Sequence, residues 1–153
     1  MAGSFSDAME KHVLDLAFGG LAAASTALST GNLANLWIAL LESTADNLGD
    51  AWTPASTGEC AGSTYVRKSF ANSSANWCNT TAGTGIKQLK TAHVCTTAAG
   101  ADWGTIGGIA VCSSSSTGVG GFALCWTTLT GGAKVINAGD TVTVTTALTI
   151  TLG

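Results

Sequence analysis

Charge is what this chain has least of. Only 10% of its 153 residues are Asp, Glu, Lys or Arg, against about a quarter in an ordinary soluble domain. Six basic and nine acidic side chains leave a formal net charge of −3, so no broad positive field exists to draw in nucleic acid or an anionic lipid surface. Proline occurs once, as Pro54, and tyrosine once, as Tyr65. The most apolar run, residues 33–41, falls far short of the ~20 residues that a bilayer-spanning helix needs, so no membrane segment is expected. Residues 13–24 are mostly apolar and small, but Asp7, Glu10 and Asp15 break the pattern of a secretory leader, and the start is read as mature structure. Five cysteines, Cys60, Cys78, Cys95, Cys112 and Cys125, include no Cys-x-x-Cys pair and no histidine at ligand spacing. That pattern argues against zinc, and neither a metal nor a cofactor is expected.

What is there is small, apolar and β-favouring. Hydrophobic residues make up 46% of the chain, glycine contributes 20 residues, and mean hydropathy is +0.35. Low charge combined with that hydropathy predicts that part of the surface is covered in an assembly, so a homo-oligomer is expected. The length suits one domain over 1–153, able to bury roughly two thirds of the surface the unfolded chain exposes.

Asp7 is a good helix cap, Glu10 follows three residues later, and Met9, Val13, Leu16 and Ala17 fall on one face before Gly19-Gly20. A short amphipathic helix within residues 1–20 is therefore predicted, packing on the sheet or on a neighbouring subunit. From residue 33 to 153 the reading is β. The run at 33–41 is short and bounded by Gly31-Asn32 and Glu42-Ser43, which favours a buried strand over a helix. A long loop, residues 44–63, carries Trp52 and the single proline; strand composition returns at 64–70, at Trp77-Cys78 and over 86–96.

The centre of the chain is Ile109-Ala110-Val111-Cys112, a Ser/Thr/Gly loop, and Phe122-Ala123-Leu124-Cys125-Trp126, a β-hairpin by pattern. Symmetric pairing about its loop would set Cys112 opposite Cys125, where a cross-strand disulfide is open; buried free thiols fit equally well. Near the C-terminus Lys134-Val135-Ile136 precedes the turn Asn137-Ala138-Gly139-Asp140, and Val142, Val144, Leu148, Ile150 and Leu152 then alternate with threonines. Seven or eight short strands of this kind predict a mainly β fold, a single β-sandwich or jelly-roll-like domain with a short N-terminal helix.

Catalytic constellations are sparse. His93 and Cys95 share one face of a strand, but alternation alone places them there, and no enzyme is expected. His12 has only Asp15 nearby. Asp46, Asn47, Gly49 and Asp50 lack the regular spacing and terminal glutamate of a calcium loop, and Thr84-Gly85-Ile86-Lys87 lacks the leading glycine of a phosphate loop. Trp37 and Trp103 read as core. Trp52, Trp77 and Trp126 read as interface candidates, as stacking platforms for sugars, or equally as core. Met9, Val13 and Leu16 on the predicted helix are further interface candidates.

The opening Met-Ala-Gly-Ser-Phe-Ser-Asp and the helix ending in Gly19-Gly20 are followed in order by Trp37-Ile38-Ala39-Leu40, Thr64-Tyr65-Val66-Arg67 and Asp102-Trp103-Gly104-Thr105-Ile106. Phe122-Ala123-Leu124-Cys125-Trp126 and Asn137-Ala138-Gly139-Asp140-Thr141 complete the set. Over nearly its whole length the chain resembles the small virion structural proteins of tailed double-stranded DNA bacteriophages. Many of these are called tail-fibre proteins, and similar proteins serve as capsid decoration or cement proteins. The resemblance implies a virion location after assembly in the host cytoplasm. It also implies a decoration role on the capsid surface with the major capsid protein as partner, and a homo-oligomer for which a trimer would match threefold sites. The alternative it carries is a tail-fibre or adhesin module that binds a host surface glycan or protein.

Overall fold

The computed structural model describes residues 2–5, 34–42, 58–62, 64–73, 75–79, 86–96, 101–115, 123–146 and 148–151. The strands among them are β1 (Ala2–Phe5), β2 (Asn35–Glu42), β3 (Lys68–Ala71), β4 (Trp77–Asn79), β5 (Ile86–Leu89) and β6 (His93–Thr96). They continue with β7 (Gly104–Cys112), β8 (Ala123–Thr128), β9 (Lys134–Ile136), β10 (Thr141–Val144) and β11 (Thr149–Thr151). No helix occurs among the described residues, and hence none long and apolar enough to cross a membrane.

β2 and β7 form the middle of the fold. Along β2, Leu36, Ile38 and Leu40 point into the main core while Ala39 and Leu41 point into a smaller cluster on the opposite face. Both faces are covered, which is why the sequence is apolar at consecutive positions instead of alternating. β7 runs antiparallel to β2 on one edge; β8 takes the C-terminal part of its other edge and β9 the N-terminal part.

Two irregularities set which side chains share a face. Leu41 lies opposite Gly108 but Glu42 lies opposite Ile106, so Gly107 is an extra residue on β7. The inserted residue flips the alternation, and Ile106 and Ile109 both enter the main core. On β8, Val111 pairs with Cys125 but Cys112 pairs with Ala123, so Leu124 is the extra residue there. Ala123 consequently joins Cys112, Ala39 and Ala110 on one face, while Cys125, paired with Val111, lies in the main core. The expected facing of Cys112 and Cys125 is therefore corrected: the register sets Cys125 opposite Val111, so the two cysteines lie on opposite faces, and both are free thiols.

The strand order is β3-β2-β7-β8-β1-β11-β5-β4, with β9 attached to β7, and a separate ribbon pairs β10 with β6. Cys95 and Val144 of the ribbon pack into the same core as Leu36, Ile38 and Phe70. The fold is mainly β, as the sequence predicts, and among the described residues it forms an open, mostly antiparallel nine-stranded sheet. The predicted N-terminal helix is not supported: residues 2–5 are a strand, parallel to β11 on one side and antiparallel to β8 on the other. Positions 7–20, with Met9, Val13 and Leu16, lie outside the described residues, as does Trp52.

Residues 64–67 precede β3 and are not themselves a strand. The alternating run after Asp140 is two strands, because the chain turns at residues 145–148, where the Leu148 amide donates to the Thr145 carbonyl at 3.2 Å.

His93 shows how the ribbon is packed. Its ring lies 4.6 Å from that of Phe70, the residue is only 8% exposed, and its Nε2 meets no hydrogen-bond partner among the described residues. Burial, with the Lys68 ammonium as a second influence, holds its pKa below the ordinary value. Folded protein thus favours the neutral ring, and the unfolded chain binds the proton first as pH falls. Stability from this group is complete above about pH 6.5 and is lost as pH drops from there through the folded pKa. His93→Phe is expected to flatten the fall of Tm as pH drops below about 6.5; parallel wild-type and variant curves would contradict the assignment.

Candidate functional site

Three polar side chains in a chain so poor in charge are gathered at one buried point. Segment 58–60 continues the edge of β2 beyond β3: the Glu42 amide donates to the Gly58 carbonyl at 2.8 Å and the Cys60 amide to the Leu40 carbonyl at 2.9 Å. This pairing carries Glu59 inward. Arg67 Nε donates to Glu59 Oε1 at 2.8 Å and Arg67 Nη2 to Glu59 Oε2 at 2.6 Å, a two-pronged fork whose side chains are 1% and 2% exposed.

The Tyr65 hydroxyl donates to Glu59 Oε1 at 2.8 Å and accepts from the Leu40 amide at 2.9 Å. Arg67 Nη1 donates to the Ser114 carbonyl at 2.9 Å and hydroxyl at 3.0 Å. Burial opposes charge on Arg67, but the Glu59 carboxylate outweighs it and the guanidinium pKa rises. Burial and the same carboxylate push the Tyr65 hydroxyl far above its usual value, so it stays protonated as a donor. These groups saturate one another and tie residues 58–67 to β2 and to the end of β7; they form a clamp rather than a reacting centre.

Trp103 is the apolar counterpart of that clamp. It is 3% exposed, stands edge-on to Tyr65 with ring centroids 5.4 Å apart, and donates from Nε1 to Thr64 Oγ1 at 3.3 Å. Gly62 lies beneath the indole, where a Cβ would come within 2.7 Å of Trp103 Cδ1.

A concave surface opens between β9 and β10. The turn joining them is closed by the Asp140 amide on the Asn137 carbonyl at 3.0 Å and by the Asn137 amide on Asp140 Oδ2 at 2.8 Å. Gly139 takes a φ of +86°, which glycine adopts without steric cost. Asp102 Oδ1 accepts from the Ala138 amide at 2.7 Å and anchors the turn from below. The two strands do not then form a hairpin, since β9 pairs with β7 and β10 with β6.

Their divergence leaves a groove of about 390 Å³. The almost wholly buried Leu40, Ile106 and Ile109 form its floor, and Leu129, Ile136, Val142, Val144 and Leu148 add to its apolar lining. Threonines 130, 141, 143 and 145 and the cation Lys134 also line it, and among the described lining residues there is no aromatic ring and no carboxylate.

The residues singled out from sequence are not brought together. Trp77 is half-buried with its ring 5.7 Å from Phe70. Trp126 is half-buried against the smaller apolar cluster, and its buried Nε1 has no partner among the described residues. His93 and Cys95 do share a face, but burial pushes the Cys95 thiol up to about 11, so it is protonated near neutrality and not activated as a nucleophile. Burial likewise pushes Cys112 and Cys125 up to about 12. Among the described residues no cluster of His, Cys, Asp or Glu could hold a metal ion. Glu59, Arg67 and Lys134, which do organise the clamp and the groove, carry no motif that marks them in sequence.

Fold and site together define a mainly β scaffold, clamped from within, with one apolar groove at a sheet edge. Residues 4–151 match the family described as podophage GP4 fiber I protein gp80. The chain belongs to that family, and is a structural protein of a bacteriophage virion. No curated protein matches it.

Proposed function

We propose that this protein is a subunit of a phage tail fibre, a self-associating β scaffold that presents a recognition surface to the host. The match to a fiber I family across residues 4–151 carries this reading. It favours the fibre alternative over the capsid-decoration role, for which the family description offers nothing. Sparse charge and a mean hydropathy of +0.35 support covered surface between copies of the chain. The exposed edge of β9, where Val135 is 62% exposed, is compatible with such contacts.

Counting copies in purified virions by quantitative mass spectrometry, with immunogold labelling to locate them, tests the assignment. A fibre subunit is expected at about a few tens of copies or fewer, as closed symmetric assemblies at a single tail require, with gold at the tail. Hundreds of copies with label over the head would return the protein to the decoration role.

A further inference from the structure

We propose that the groove between β9 and β10 binds a single-chain anionic amphiphile, its aliphatic tail along the floor and its head beside Lys134. The inference is independent of where in the virion the protein sits.

The chemistry of the walls selects the tail. A glycan site ordinarily offers an aromatic face and planar polar groups, and a nucleotide site offers several converging N–H donors or cations. Among the groove's described lining residues neither is present: they are mostly branched aliphatic residues, and the threonines add methyl groups beside their hydroxyls. If each non-hydrogen atom takes roughly the 30 Å³ that a water occupies in the liquid, a volume of about 390 Å³ accepts a chain of roughly a dozen carbons.

Charge selects the head. Among the described lining residues Lys134 is the one that is charged, and none is a carboxylate that could neutralise it. Its ammonium makes one long bond, 3.5 Å to the Gly131 carbonyl, and keeps protons for an anion. Because Lys134 begins β9 and the apolar residues lie along β9, β10 and the floor, charge sits at one place and apolar surface along the rest. That is the polarity of a fatty-acid-like molecule, and it disfavours a cationic one of the same length.

The test is calorimetric titration of the full chain with octanoate, decanoate and decyltrimethylammonium, each below its micelle concentration. Decanoate is expected to bind saturably at one site, about tenfold tighter than octanoate, since two further methylenes enter apolar surroundings. Decyltrimethylammonium should bind more weakly than decanoate. Lys134→Gln, on an exposed side chain, should weaken decanoate roughly threefold to fivefold and bind the cationic probe at least as tightly as before, which a loss of fold would not do. Leu129→Trp should fill the groove and abolish binding. Absence of saturable binding, equal affinity for the two ten-carbon probes, or unchanged decanoate affinity in Lys134→Gln would each overturn the assignment.

Discussion

Arg67→Ala is expected to lower the stability of the fold by about 3 to 5 kcal/mol, because it leaves the Glu59 carboxylate buried with its charge unmatched. Both side chains are almost wholly out of water, so solvent cannot take over the role of the lost guanidinium. The substitution also removes the donors to Ser114, and with them the tie between residue 67 and the end of β7. Denaturant midpoints read the effect directly. The double variant Glu59→Leu with Arg67→Met should recover most of the loss, since apolar side chains of similar volume often replace a buried pair at little cost. A loss under about 1 kcal/mol in Arg67→Ala would mean that the fork behaves as an exposed pair.

Trp103→Ala is expected to cost a similar amount, about 3 to 5 kcal/mol, but through a cavity and not through charge. The indole fills the space between Gly62, Thr64 and Tyr65, while its backbone amide bonds the Ile136 carbonyl at 3.0 Å. Truncation therefore undermines the packing against Gly62, Thr64 and Tyr65, while the backbone bond to β9 is kept in alanine. Gly62→Ala offers an independent check, because the new methyl would meet the indole at 2.7 Å. It should destabilise the native protein and cost markedly less once Trp103 is already alanine, the remaining cost coming from the Asp102 carbonyl at 3.2 Å from the new methyl. A double-mutant cycle in thermal or chemical denaturation measures that coupling, and strictly additive losses would contradict the packing described.

The sequence makes the central elements readable for a physical reason. β2 is an apolar run too short for most helices, β7 and β8 flank a polar loop, and β9 is separated from β10 by a recognisable turn; each signal is local. What is not readable depends on partners far along the chain. Period-two alternation assumes no inserted residue, so the extra residues Gly107 and Leu124, each of which swaps the faces, are invisible to it, as is the one-residue register that sets Cys125 opposite Val111 and not Cys112. Ala-Gly-Ser-Phe has little intrinsic strand preference; β1 is extended because strands on both sides impose it.

The clamp is hidden in the same way. Glu59 sits in a segment that reads as a loop and Arg67 in one that reads as a strand, and only the pairing of residues 58–60 with β2 brings them together. The groove exists because β10 leaves β9 for β6, a choice that alternation at Val142 and Val144 does not encode.

The lodging of β1 between β8 and β11 has a consequence for biosynthesis. Ala2–Phe5 leaves the ribosome early, yet one of the two rails that grip it, residues 149–151, is translated long afterwards. Until then the flank of β1 that β11 will cover stays open to any stray strand in a crowded host cell, and closing so long a loop makes that step slow. Nascent chains stalled before residue 149 should therefore be the most aggregation-prone form of this polypeptide.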